Sequence, residues 1–176
     1  LAQDLIEPHA HIAPLAAAPH DLDVFFPRLL DCARDRATER QVYAAALDFA
    51  RRGLLAAETL QEIGARVALK SASLRRTLMP TQQADGAAWM WDPQYLFDAQ
   101  LAEAVLELLG YCPSPAVESE LRAARLYTDK RLKTAALLAL LRLEHSVSPE
   151  DLRDAAASPI ARAALFRGLR EQGLSD

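Results

Sequence analysis

The chain is poor in the residues that usually signal specialised chemistry: two cysteines, four histidines, six glycines and 6% aromatic residues in 176. Cys32 and Cys112 lie far apart and outside any C-x-x-C pair, so a disulfide framework is excluded and both are expected as buried, reduced thiols. There is no G-x-G-x-x-G, no G-K-[ST] loop, no G-x-S-x-G elbow and no H-E-x-x-H, which leaves nucleotide-dependent chemistry without support. No apolar run approaches the ~18 residues of a membrane span. Pro, Arg or an acid interrupts every one, including the stretch of Leu and Ala from Ala135 to Leu143, so an integral membrane protein is excluded. Neither sign of charge dominates: Lys+Arg 20 against Asp+Glu 24 gives a formal charge of -4. Such a balance sets up no general field for a phosphate backbone, and nucleic acid is not the expected partner.

What is present is 51% apolar residues, rich in alanine and leucine, with arginine as the main cation and lysine only at Lys70, Lys130 and Lys133. A single globular domain of this length buries roughly 70% of its unfolded surface, and it needs neither disulfide nor structural metal for a core. Disorder is excluded by the same composition. The chain begins at Leu1, so a leader or a longer N-terminal region is expected to precede it, with the cytoplasm as the expected compartment.

Apolar positions recur with the helical period, and alternating Val, Ile and Thr runs are missing, which predicts an all-α fold. Residues 1–20, broken by Pro8, Pro14 and Pro19, read as an irregular or short-helical lead-in. Residues 21–176 read as the regular part, with helices near 21–35, 38–52, 56–69, 71–79, 93–110, 115–127, 130–145, 149–156 and 159–172. Ser114-Pro115, Ser148-Pro149 and Ser158-Pro159 each place a capping hydroxyl ahead of a proline at the first helical position.

Four of these segments share a motif of an aliphatic residue, two variable positions, Ala, then Ala or Val, then Leu. They are VYAAAL from Val42, LAEAVL from Leu101, LKTAAL from Leu132 and IARAAL from Ile160. The last three are 31 and 28 residues apart, and 59 residues separate the first two, which predicts a degenerate copy around Ile63 to Leu78. Adjacent small residues make a shallow stripe that a second helix can approach closely. Each motif helix follows another amphipathic one, so the unit is a helical hairpin, and stacked hairpins bury a continuous core as an α-solenoid.

From Asp98 to Gly173 the pattern resembles the HEAT-repeat family, in particular its short bacterial form of about thirty residues, also found in phycobilisome-lyase-like proteins. The family's second helix opens with Asp, an aliphatic and a basic residue and then Ala pairs. Asp129, Leu132, Lys133, Ala135 and Ala136 reproduce this; Asp98, Leu101, Ala104 and Val105 follow it without the basic residue. The Ile160 copy has Ala157 and the Val42 copy Glu39 where the family has Asp. The resemblance implies a right-handed stack of four or five helix pairs serving as a non-enzymatic scaffold or adaptor for a protein partner. On that reading no cofactor or metal is called for, and a narrower version is the neutralisation of a partner toxin or enzyme.

The expected binding residues follow from two features. The segment Pro80 to Pro93 interrupts the repeats with Trp89, Met90 and Trp91, and Trp89, Trp91 and Tyr95 suit a hydrophobic anchor because Trp and Tyr are enriched at hot spots. A lid over the gap between two hairpins is the competing reading, and adjacent positions point the two indoles different ways. Variable positions of the second helices, Lys130, Lys133, Thr134, Arg142, Glu103 and Glu107, are expected to give the concave face its specificity. His9 and His11, with His20, form a weak metal pattern best read as packing or solvated histidines, and Glu144-His145 reads as a helix end. Some HEAT-like proteins bind or process nucleic-acid bases on a positive concave face; that alternative has Arg51, Arg52, Arg75, Arg76, Arg122, Arg125, Lys130, Arg131 and Lys133 as candidates and requires the arginines to converge on the face around a buried acid. The acids Glu118, Glu120 and Asp129 interspersed with the densest group favour ordinary surface pairing instead.

Overall fold

The computed structural model describes residues 19–32, 35–83 and 86–174. Among these residues the protein is all-helical, without a strand. In chain order the helices are α1 Pro19–Cys32, α2 Arg36–Arg51, α3 Ala57–Gln83, α4 Pro93–Leu109, α5 Pro115–Ala124, α6 Lys130–Arg142, α7 Pro149–Ala157 and α8 Pro159–Glu171, with a 3-10 turn at Ala88–Trp91 before α4. No helix is long and apolar enough to cross a membrane among the described residues. His9 and His11 lie outside them.

Polar side chains set the helix starts by accepting otherwise orphaned backbone N–H groups. Asp35 accepts from Thr38 N at 2.9 Å, Asp92 from Gln94 N at 2.9 Å, Ser114 from Val117 N at 3.3 Å and Ser148 from Asp151 N at 3.1 Å. Pro93, Pro115 and Pro149 stand directly behind three of these caps, where their missing N–H costs nothing. Two expectations change here. Ser158 makes no side-chain cap bond and instead ends α7, and α4 is opened by Asp92, leaving Asp98 a turn and more inside the helix.

Three of the four motif helices end alike. In α2, α6 and α8 the second residue past the cap donates to the carbonyl five residues back: Leu54 N to Phe49 O at 2.9 Å, His145 N to Leu140 O at 3.0 Å and Leu174 N to Leu169 O at 2.9 Å. This Schellman closure needs a left-handed residue, supplied by Gly53 (φ 66), Glu144 (φ 61) and Gly173 (φ 69). Glu144 alone among these three carries a Cβ there, at a cost of roughly 1–2 kcal/mol.

Packing runs in a regular order. Helix α2 contacts α4, α4 contacts α6, and α6 contacts α8, while α1 packs on α2 and α3, α3 on α4 and α5, α5 on α6, and α7 on α6 and α8. The four motif segments fall on α2, α4, α6 and α8, the helices that touch in succession. Their small residues fix the spacing: Ala46, Ala102, Ala135, Ala136 and Ala139 are buried. A methyl group added at Gly110 would lie 2.9 Å from the Ala139 Cα, so the end of α4 rests on the α6 backbone. Between them Leu106, Leu108 and Leu109 are fully buried, at the centre of a core that extends from Phe26 to Leu140.

The predicted extra copy does not form. Residues Ile63 to Leu78 belong to the single 27-residue helix α3, which buries Ile63, Val67, Ser71, Leu74 and Leu78. The 59-residue gap is filled by this long helix and the 3-10 turn, and α3 runs through Pro80 to bring Gln82 into the core.

Three substitutions test this packing by urea denaturation. Gly110→Ala should lose about 1–3 kcal/mol through overpacking, because the obstacle is backbone. Gly168→Ala meets only the flexible end of Leu138 and gains helix propensity, so it should lose less. Glu144→Gly should raise stability by about 1 kcal/mol.

Candidate binding surface

Chain order alone cannot say which of the tryptophans faces water. Trp89 is 8% exposed and packs edge-to-face on Tyr95 with ring centroids 4.8 Å apart, whereas Trp91 is 82% exposed. The 3-10 turn therefore does two things: it seals the start of α4 with one indole and presents the other to solvent. Tyr95 is 2% exposed and has no free face. Its hydroxyl donates to Asp129 Oδ2 at 2.8 Å and accepts from Gln82 Nε2 at 2.9 Å. The Gln82 carbonyl oxygen in turn accepts from Thr128 N at 2.8 Å and Asp129 N at 3.2 Å. Asp129 also caps α6 through Arg131 N and takes the Arg131 guanidinium at 3.0 Å. This buried network pins the end of α3 and the start of α4 to the link between α5 and α6 and to the start of α6. Burial, then the Asp129 charge, pushes the Tyr95 hydroxyl well above its ordinary range.

Lys130 and Lys133 face α7 and are engaged there. Both donate to Asp154, at 2.6 Å and 3.0 Å, and Lys133 also reaches Asp151 at 2.9 Å. Asp151 is bonded by Ser148 and Arg125 as well. Burial pushes the Asp151 carboxyl up, but hydrogen bonds from Lys133, Ser148 and Arg125 outweigh it and hold the group below its ordinary value. Bonds from Lys130 and Lys133 hold Asp154 down in the same way. The other basic clusters are also paired with acids: Arg75 grips Glu120 through two bonds of 3.1 and 2.9 Å, Arg122 pairs with Glu118, and Arg52 with Asp48.

The remaining expected residues meet on one surface. A cavity of about 160 Å³ opens where α2, α4, α6 and α8 run side by side, lined by Glu103, Glu107, Arg131, Thr134, Arg167 and their neighbours. It continues past Arg51, Arg142 and Glu171 into a wider recess of about 690 Å³, bordered by Tyr111, Glu144 and Gln172 at the helix ends. Arg51 crosses from α2 to pair with Glu107 on α4. Arg142 lies over the Tyr111 ring at 4.5 Å. Glu103 has no hydrogen-bond donor among the described residues; burial first, and the Glu107 charge second, raise its carboxyl above the ordinary range. Glu103 and Thr134 hold the same place, third in the six-residue motif, on adjacent helices.

The structure thus brings Glu103, Glu107, Thr134 and Arg142 together, puts Lys130 and Lys133 toward α7, and leaves Trp91 exposed on the turn before α4. Sequence reasoning did not find Gln82 or Gln172, whose partners lie up to 47 and 34 residues away, and named Arg51 only among the basic clusters, its partner Glu107 lying 56 residues on. Cys112 is free and buried, and burial pushes its thiol up to about 12. Compared with known proteins, the chain matches no family model, and no curated protein or solved structure is significantly similar to it.

Alanine substitutions should separate the indoles. Trp91→Ala is expected to change stability by no more than about 0.5 kcal/mol, and Trp89→Ala to lose about 3–5 kcal/mol. The acidic pair opposite Lys133 should show in the pH profile. A carboxyl held below its unfolded value contributes stability that is complete above that value and lost as pH falls through the folded one. The stability difference between the wild type and Lys133→Met should therefore shrink as pH drops below about 4; a pH-independent difference would refute the pairing.

Proposed function

We propose that the chain is a non-enzymatic protein-binding module, a HEAT-like α-solenoid acting in the cytoplasm as a scaffold or adaptor. In this reading α1/α2, α3/α4, α5/α6 and α7/α8 are four stacked hairpins of a right-handed superhelix, and the even-numbered helices line its concave face. The observation that carries the reading is the groove across α2, α4, α6 and α8, where side chains from four successive motif helices meet. Its mechanism is complementarity of shape and charge on a preformed surface, with the exposed indole of Trp91, on the turn before α4, as an apolar anchor. Neutralising a partner toxin or enzyme is one use that such a surface supports.

A nucleic-acid surface asks for unpaired cations on one face, and the arginines and lysines just described are largely spent on acids. The test is affinity capture from native lysate with the intact chain and with Trp91→Ala. A protein held by the first and reduced at least tenfold with the second, as for a hot spot worth about 2 kcal/mol, is the expected result. Retention of nucleic acid alone, released by moderate salt, would overturn the proposal.

A further inference from the structure

The smaller cavity is electrically balanced, and it leaves one group of each sign without a partner. Of the arginines that line it, Arg51 pairs with Glu107, Arg131 with Asp129, and Arg142 lies over the Tyr111 ring with Glu171 in the same lining to offset its charge. Arg167 on α8 and Glu103 on α4 are left. Neither has a hydrogen-bond or ion-pair partner among the described residues, yet Arg167 is near enough for its charge to favour the ionised form of Glu103. Both line the cavity. Thr134 on α6 lines it too; it is 1% exposed and its hydroxyl oxygen has no hydrogen-bond partner. A carboxylate only accepts hydrogen bonds, a guanidinium only donates, and a hydroxyl does both. Three successive motif helices thus contribute an open acceptor, an open group of either kind and an open donor.

We propose that this cavity receives a carboxamide side chain, glutamine or asparagine, of the partner protein, its N–H groups donating to Glu103 and its carbonyl oxygen accepting from Arg167. The proposal rests on the protein-binding reading of this face and specifies its chemistry. Charge decides against an ionic occupant: a lysine or arginine would meet Glu103 but oppose Arg167, and a carboxylate would do the reverse. An apolar side chain would exclude water from both groups and from the Thr134 hydroxyl without bonding any of them, which is the costly case. A carboxamide is neutral overall and carries a donor and an acceptor at one end. A hydroxyl also does both, but from a single atom, whereas the amide spreads the two functions over two atoms and can serve opposite walls. About 160 Å³ is the room of roughly five waters at ~30 Å³ each, enough for one short polar side chain and too little for a helix. The adjoining recess of about 690 Å³ leaves space for the main chain that carries it.

The probes are short peptides with one central glutamine, glutamate, lysine or methionine among glycines, closed by acetyl and methylamide caps so that no other primary amide is present. Each is titrated into the full chain at low salt with NMR detection. The glutamine peptide is expected to saturate, to shift the Glu103, Thr134 and Arg167 amides, and to bind about threefold tighter or more than each of the others. Two variants should change the order in opposite senses. Glu103→Gln leaves Arg167 unmatched, so the glutamate peptide becomes the tightest; Arg167→Gln leaves Glu103 unmatched, so the lysine peptide does. A residue that only shaped the cavity would weaken all the peptides alike. A charged or methionine peptide binding the intact chain tighter than the glutamine peptide, no saturation by the glutamine peptide, or the same order of affinities in both variants would each overturn the assignment. A lysate protein captured equally well by the intact chain and by Glu103→Gln would overturn it too while leaving the protein-binding reading in place.

Discussion

Gly110 lies against the Ala139 backbone with no room for a methyl group between them, and the rest of the structure is arranged around that approach. Small residues at the crossing let α4 and α6 come close enough for Leu106, Leu108 and Leu109 to be wholly buried, and apolar burial of this kind is the main favourable term in folding. The same device recurs at Gly168 against Leu138, where α8 meets α6. The buried motif alanines lie between successive motif helices, and the polar third motif positions Glu103 and Thr134, with charged residues outside the motif, line the groove.

Much of the architecture could be read from that pattern. The helical period of the four motif segments placed all the motif helices to within three residues, and the expected serine caps hold at Ser114 and Ser148, because caps and periodicity are local properties. The failures have a common physical origin. Ile63 to Leu78 looked like two short helices and a worn repeat; the packing of α3 on both α4 and α5 makes it one long helix that carries through Pro80. Asp98 looked like a helix opener, yet Asp92 takes the role and Asp98 is drawn inside to meet Arg36 at 3.3 Å. Glu144 occupies a left-handed position where Gly53 and Gly173 stand in α2 and α8, a strain that only the backbone reveals.

The candidate surface was legible in part. That Glu103, Glu107, Thr134 and Arg142 share a surface follows from their places on motif helices, and the groove unites them. What each one does was hidden, because it depends on partners far along the chain. Tyr95, chosen as an exposed anchor, is the centre of the Gln82–Tyr95–Asp129 network and leaves Trp91 as the exposed aromatic of that segment. Lys130 and Lys133 are drawn to Asp151 and Asp154 on α7, a helix whose acids carry no signal of their own in the sequence.

Native-state hydrogen exchange tests the central packing directly. If the α4–α6 contact holds the molecule together, the amides of Leu106 to Leu109 and Leu137 to Leu140 exchange only through global unfolding and are the slowest in the chain, with α1 and α8 opening at lower free energy. Exchange in α4 and α6 as fast as in α8, with α3 or α5 the most protected, would contradict it.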